Sequence, residues 1–200
     1  MSERRFTISY SGRKVGPGFD PPPMQDIAIC LGRICRFSGN CKVFYPVLLH
    51  SFVVADLVPP PAKVYALLHD ASECVLGDIP SPHKATFQKQ FEGEFFSDLI
   101  RAHDLPALTA NVASSVHKAD KDALIGEFFT VGPYGIEKYA PSPRNFRADR
   151  LIEQYLAHHQ VEDCIRPDGE AVLEFHRRLS LYKNFVERAH ENDNCGNSAD

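Results

Sequence analysis

The sequence predicts an all-α fold, a bundle of six to seven helices with a small N-terminal β-hairpin. Three observations predict it. From Met24 onward the apolar residues recur at helical spacing. Proline and glycine cut that pattern into separate segments. Alternation of apolar and polar residues is confined to residues 5–15, which turn at Ser11-Gly12 and read as the hairpin.

The elements follow in order. Residues 16–23 form a Pro/Gly linker. Ile27, Ala28, Leu31, Ile34 and Cys35 share one face of a first helix, which Ser38-Gly39-Asn40 ends. Residues 47–58 are apolar almost all round, which places their helix in the core. Pro59-Pro60 breaks it, and Pro61 opens the next helix, where a missing N–H costs nothing. That helix runs to Leu76 and stops at Gly77. Ser81-Pro82 leads into a charge-flecked helix at about 84–103, followed by one at about 106–131 that stops at Gly132-Pro133. Three prolines in 133–146 mark a long loop. Two more helices lie near 147–160 and 168–190. The polar stretch 191–200 reads as a disordered tail to a single domain over 1–190.

Composition narrows the class. The net charge of −4 and the absence of a polybasic run exclude a surface built to coat nucleic acid. No window approaches 18 uninterrupted apolar residues, and the first residues lack the apolar centre of a secretion signal. The six cysteines form no CxxC, so they read as reduced, mostly buried side chains of a cytoplasmic protein.

The chemistry gathers around His69-Asp70, an imidazole and a carboxylate directly behind Leu67 and Leu68. A buried carboxylate costs several kcal/mol unless it is paired or holds a metal. Each helical residue advances roughly 100°, so Glu73 shares the face of the pair. His50 lies on the buried helix among Leu49, Phe52 and Val53. Asp120 and Glu127, seven apart, are nearly superposed two turns on. His50, His69, Asp70 and Asp120 make a four-donor set for one divalent ion. Mixed nitrogen and oxygen donors suit cobalt, manganese or zinc, and also iron, nickel or magnesium. Glu73 would stand beside that ion as general acid or base. A lone histidine in an apolar helix is more often a hydrogen-bonded core residue, so the specificity lies in the ordered set. Glu127 reads as a hydrogen-bonder behind the site. Asp122 competes with Asp120 as the ligand.

Five stretches then carry a resemblance: Ile-Cys-Arg-Phe-Ser-Gly-Asn at 34–40, Leu-Leu-His-Ser at 48–51, Leu-Leu-His-Asp-Ala-Ser-Glu at 67–73, Gly-Asp-Ile-Pro-Ser-Pro at 77–82 and Val-His-Lys-Ala-Asp at 116–120. Together they resemble the HD-domain metal-dependent phosphohydrolases, and within them the bacterial 5′-deoxynucleotidases and their phage relatives that hydrolyse dATP. The resemblance covers residues 27–127, half of the chain. It implies an HD-domain helical bundle with His50, His69, Asp70 and Asp120 as metal ligands. It implies catalytic roles for Glu73, which orients or activates the attacking water, and for Asp78, near that water or the substrate sugar. It implies substrate-binding roles for Arg36, Phe37, Lys84 and Lys118. Phe37 stands where many relatives have a tryptophan, which leaves the base preference open. Arg36 suits bidentate phosphate binding but equally a helix C-terminus, where cations are favoured. Phe37 is otherwise a core aromatic, and the two lysines are otherwise solvated surface.

The function so implied is hydrolysis of 2′-deoxynucleotides. The two lysines lean towards a dNTP, with dATP the base that the phage relatives suggest, cleaved to triphosphate and deoxynucleoside. The alternative is release of phosphate from dNMPs. A non-catalytic nucleotide-binding module would be expected to lack a ligand or the acid, and all are present. The resemblance also implies a homo-oligomer in the cytoplasm of a bacterial or phage-infected cell.

Overall fold

The computed structural model describes residues 6–79, 83–141 and 143–196. The chain runs β1 (Thr7–Ile8), β2 (Lys14–Val15), α1 (Met24–Arg33), α2 (Val47–Leu57), α3 (Lys63–Leu68), α4 (Glu73–Leu76), α5 (Thr86–Ala102), α6 (Ala110–Thr130), α7 (Phe146–His158), α8 (Val161–Ile165) and α9 (Glu170–Gly196). The fold is therefore mostly helical with one antiparallel hairpin, in which Thr7 pairs with Val15 and Ile8 with Lys14. The hairpin is pinned to α1, because the Ser11 amide and hydroxyl both donate to the Asp26 carboxylate at 3.0 and 2.7 Å.

The all-round apolar helix is central, as its composition requires. Every residue of α2 from Val47 to Ala55 is buried, including His50 and Ser51. The Ser51 hydroxyl donates to the Val47 carbonyl at 3.0 Å, which satisfies it without water. Around α2 pack α1, α3, α6, α7 and α9. Phe52, Phe175, Leu48, Leu67 and Ile152 are among the large side chains fully buried between them.

Four boundaries differ from the expected ones, each for a local reason. The first helix ends at Arg33, not at Ser38-Gly39-Asn40. Ile34 is extended, and Cys35 bridges to Pro46 with Arg36 N donating to the Tyr45 carbonyl (2.9 Å) and Val47 N to the Ile34 carbonyl (3.0 Å). The helix expected over 61–76 is broken at residues 69–72, between α3 and α4. There Ala71, Glu73, Cys74 and Val75 donate to carbonyls three residues back, a tighter winding than the α-helix. The helix expected from about 106 begins at Ala110, where the Thr109 hydroxyl accepts from Val112 N at 3.3 Å. The last helix runs to Gly196, into the stretch expected to be a tail; residues 197–200 lie outside the described residues.

The 133–146 segment is a loop, as expected, with a 3-10 turn at Ile136–Tyr139 that follows the left-handed Gly135. A short α8 also stands between the last two expected helices. Among the described side chains, Cys30, Cys35, Cys41, Cys74 and Cys164 are free but, as a group, less buried than expected. Cys164 is buried, whereas Cys30, Cys35, Cys41 and Cys74 are half-buried. No helix among the described residues is long and apolar enough to cross a membrane.

Candidate metal centre

Three elements bring the polar set together: His50 from the middle of α2, His69 and Asp70 from the break after α3, and Asp120 from α6. His50 Nε2 lies 3.3 Å from His69 Nε2, 3.5 Å from Asp70 Oδ2 and 3.2 Å from Asp120 Oδ1. His69 Nε2 lies 3.2 Å from Asp70 Oδ2 and 3.8 Å from Asp120 Oδ1. His50, His69 and Asp120 each offer a ligand atom within 4.8 Å of the others. Donors bound at about 2.1 Å to one ion, in tetrahedral or neighbouring octahedral positions, stand roughly 3.0–3.4 Å apart. The His50–His69, His50–Asp120 and His69–Asp70 separations are of that size, and the other two are a few tenths of an ångström longer.

The other ring nitrogens are already committed. His50 Nδ1 meets Glu127 Oε1 at 2.6 Å, and His69 Nδ1 meets the Ala66 carbonyl at 2.7 Å. A carbonyl only accepts, so His69 Nδ1 carries its hydrogen there, which leaves Nε2 of the neutral ring as a lone pair facing the cluster. The buried Glu127 carboxylate does the same for His50. Partners that fix the tautomer in this way are what metal-ligating histidines ordinarily have. These residues therefore fit a divalent cation.

Glu127 has a second role. Its Oε2 accepts from Arg36 Nη2 at 2.9 Å, so one fully buried carboxylate holds both a candidate ligand and the Arg36 guanidinium. Burial would raise its pKa, but Arg36 and His50 outweigh burial and bring it down to about 2. Arg36 Nη1 also stands 3.8 Å from Asp70 and 3.9 Å from Asp78, and these carboxylates keep the buried guanidinium charged.

Burial and neighbouring charges compete at each member of the cluster. Burial raises Asp70, yet His69, His50 and Arg36 hold its carboxyl well below the usual range. Burial likewise opposes ionisation of Asp120, and its bonds to His50 and His69 outweigh that. Burial lowers His69, but Asp70 and Asp120 raise it well above an ordinary imidazole. Glu73 goes the other way. Burial, with the charges of Asp70 and Asp78, pushes its carboxyl up to about 9. Glu73 is 3% exposed, and its Oε2 has no hydrogen-bond partner among the described residues.

A cavity of about 440 Å³ adjoins the cluster, and Arg36, Phe37, Asp70, Glu73, Asp78, Lys84 and Asp120 all line it. Seven of the ten residues singled out from the sequence thus share one chamber, with His50 and His69 behind it. Lys84 is tied to Glu92 at 2.7 Å. Phe37 packs at 6.0 Å from Phe128 and at 5.8 Å from the Arg36 guanidinium. Lys118 is not part of the assembly: its side chain is 78% exposed and paired with Asp122 at 2.6 Å. That pair engages the Asp122 carboxylate, whereas it is Asp120 that reaches His50 and His69 and stands as the ligand candidate. Residues 80–82 of the fourth motif lie outside the described residues.

Sequence reasoning missed three features. Leu124, Phe128 and Ile136 line the chamber; the first two share a face of α6 with Asp120 and Glu127, a signal that helical spacing contained. The Glu127–Arg36 pair had no sequence signal, since 91 residues separate its members. Nor did the backbone at Phe37 and Ser38, whose φ of 55° and 52° lies in the left-handed region. That conformation costs roughly 1–2 kcal/mol per residue and sits beside Arg36, where the chain turns away from the backbone bond between Arg36 N and the Tyr45 carbonyl.

Comparison with known proteins adds kinship. No family model matches the chain. Over 61 residues it is 44% identical to the uncharacterized protein YfdR of Escherichia coli (strain K12), a match covering 30% of this chain and 34% of that protein. Over 102 residues it is 34% identical to the uncharacterized protein RCAP_rcc00048 of Rhodobacter capsulatus, covering 44% of this chain and 52% of that protein. The matches thus span about a third and about half of the length of these two curated relatives.

Proposed function

We propose that the chain is a metal-dependent phosphohydrolase of 2′-deoxynucleotides, built on an HD-type helical bundle. The observation that carries the proposal is the convergence of His50, His69 and Asp120, with Asp70 beside the two histidines, next to a chamber that also holds Glu73 and Arg36. A divalent ion held by these four would polarise a phosphoryl oxygen and make water nucleophilic at neutral pH; cobalt, manganese and zinc suit the donors best.

The protein's own groups supply the rest. Glu73 has a raised proton affinity and an unpartnered oxygen. It gives its proton to the departing oxygen as the P–O bond breaks, and the carboxylate so formed takes up the proton of the attacking water, a role worth about 10²–10⁴-fold in rate. Arg36, fixed by Glu127, presents permanent positive charge to the phosphate. Asp78, 3.9 Å from Arg36, sets the orientation of that guanidinium and offers an acceptor to a sugar hydroxyl. The reaction adds water oxygen to phosphorus, breaks a P–O bond and returns the proton to the departing oxygen.

The sequence leans to a dNTP, dATP first, cleaved to triphosphate and deoxynucleoside. A specific observation favours the shorter substrate. Lys118 faces solvent, and the chamber holds Arg36 and Lys84 against the carboxyl groups of Asp70, Glu73, Asp78 and Asp120. A dianionic monophosphate is better balanced there than a triphosphate. The deciding experiment incubates the purified protein with cobalt or manganese and a panel of dNMPs and dNTPs, with products separated by chromatography. Inorganic triphosphate establishes the first mode, and orthophosphate from dNMPs the second. Absence of turnover for every nucleotide with every metal overturns the proposal. Self-association, which the family resemblance implies, is read from sedimentation velocity of the same sample.

A further inference from the structure

The chamber beside the candidate metal centre has two kinds of lining. Arg36, Lys84 and four carboxyl groups make one, and Phe37, Ile79, Leu124, Phe128 and Ile136 make the other. These five apolar side chains are only half-buried, so apolar surface remains open there. Four of them are tied through the chain to charged or ligating groups. Phe37 follows Arg36, Ile79 follows Asp78, and Leu124 and Phe128 ride on α6 with Asp120 and Glu127. Of the five, Ile136 alone comes from a segment that supplies no charged group to the chamber, the loop after α6.

Two glycines return that side chain to the helix the loop has just left. Gly132 donates its N–H to the Glu127 carbonyl at 2.7 Å. A Cβ on Gly132 would stand 2.9 Å from Ile136 Cγ2 and 3.1 Å from the Glu127 carbonyl oxygen, so glycine is what admits Ile136 there. Gly135 has a φ of 79°, in the left-handed region, and a Cβ on it would meet nothing within 4 Å, so it supplies backbone conformation. The Ile136 amide then donates to the Pro133 carbonyl at 3.1 Å and closes the turn. The rings on either side go the other way: Tyr134 is 88% exposed and Tyr139 68%. Ile136 is β-branched and stiff at χ1, so it presents a fixed surface.

We infer that Ile136 is a specificity-determining residue of the site: it bounds the space open to the nucleobase and so sets the size of base accepted. The inference rests on the nucleotide reading above and deepens it. The charged groups take the phosphate, and a flat, largely apolar ring gains by covering the half-buried apolar side chains. The volume of about 440 Å³ lies within the range of small-molecule pockets, about 300–1,000 Å³, so both ends of a small nucleotide have room in it. Leu124, Phe128 and Ile136 carry no hydrogen-bonding side-chain group, so discrimination against them is by shape, where one methylene is worth about 10–200-fold. Moving any of the other four would move Arg36, Asp78 or Asp120 as well. A loop residue adjusts the fit and leaves the reacting groups in place.

The test uses 2′-deoxyadenosine and 2′-deoxycytidine, which carry no phosphate, and inorganic phosphate as separate probes, titrated by calorimetry into the full chain supplied with manganese. Ile136→Ala is expected to weaken deoxyadenosine binding at least about tenfold, and Ile136→Val by less. Ile136→Trp is expected to weaken deoxyadenosine at least about tenfold more than the smaller deoxycytidine. Phosphate affinity and metal content should be retained in all three, and the ratio of kcat/KM for dAMP over dCMP should move with the nucleoside affinities. Nucleoside affinities and a kcat/KM ratio indifferent to all three substitutions overturn the inference. So does a loss of phosphate binding in step with nucleoside binding, which would make Ile136 a support for the charged groups. If the variants shift nucleoside binding while the unmodified protein hydrolyses no nucleotide, the base wall stands and the hydrolase reading falls. Nucleotide turnover with a base preference indifferent to Ile136 does the opposite.

Discussion

Glu73 and Asp70 lie three residues apart and have opposite electrostatic fates. Asp70 faces two imidazoles and Arg36 and stays ionised. Glu73 faces Asp70 and Asp78 from a buried position and keeps its proton. Asp70→Ala should therefore abolish metal binding, whereas Glu73→Gln should keep the metal and lose about 10²–10⁴-fold in rate. Metal analysis of the purified variants together with single-turnover rates checks this, and an Asp70→Ala protein with intact metal content and turnover would disprove the site. Glu73 also makes a pH prediction for the metal-free protein. The unfolded chain releases the Glu73 proton near the ordinary value of 4.5, and the folded chain holds it to about 9. Between those values the folded state binds more protons, so this group lowers stability as pH rises across that window. Glu73→Gln should then be stabilising by on the order of a few kcal/mol at pH 7 and by little below pH 5. Urea unfolding at several pH values measures it; a difference independent of pH would show that the carboxyl is not held neutral.

At the scale of elements, the centre depends on how α6 lies against α2 and α7. Gly126, next to Glu127, permits the close approach of α7: a Cβ there would stand 2.8 Å from the Ala148 Cβ and 3.1 Å from Asp149 Oδ1. Gly126→Ala brings a better helix residue, worth roughly 0.5–1 kcal/mol, but forces the two helices apart, at about 1–3 kcal/mol. Net destabilisation is expected, together with weaker metal binding, because Asp120 and Glu127 ride on the displaced helix. Urea midpoints and metal titration of this variant read both effects, and a stabilised variant with unchanged metal affinity would contradict the close packing. The break between α3 and α4 matters in the same way. Its tighter winding brings residues three apart into line, which sets Glu73 above Asp70. A continuous helix would have spread them.

For the whole molecule, the candidate ligands come from α2, from the α3–α4 break and from α6, so an ion bound by all of them would tie separate parts of the bundle together. Cobalt or manganese at a free concentration of about 100 times Kd should add roughly 2.7 kcal/mol, or about 5–10 °C in Tm for a chain of this size. A chelator should reverse the shift, and Asp70→Ala should not show it. Differential scanning calorimetry with and without metal makes the comparison; equal shifts in the two proteins would mean that the ion binds elsewhere.

The sequence by itself determined the helical class, the hairpin, the burial of α2 and the identity of the residues that converge. These rest on local period, on turn residues and on the cost of an unpaired buried charge, all of which act over a few residues. His50, His69, Asp70, Glu73 and Asp120 were legible because chemistry of that kind in apolar helices needs a partner. Only the tertiary structure decided which partners met. On α6 the resemblance offered Lys118 and the spacing offered Glu127, and the packing turned Lys118 to solvent and gave Glu127 to His50 and Arg36 together. It likewise ended α1 early, because the bridge from Cys35 to Pro46 satisfied backbone groups that a longer helix would have held. It also brought Ile136 from the 133–146 loop into the wall of the chamber. Long-range pairing and the shape of empty space depend on where whole helices lie, and no local pattern in the chain encodes that.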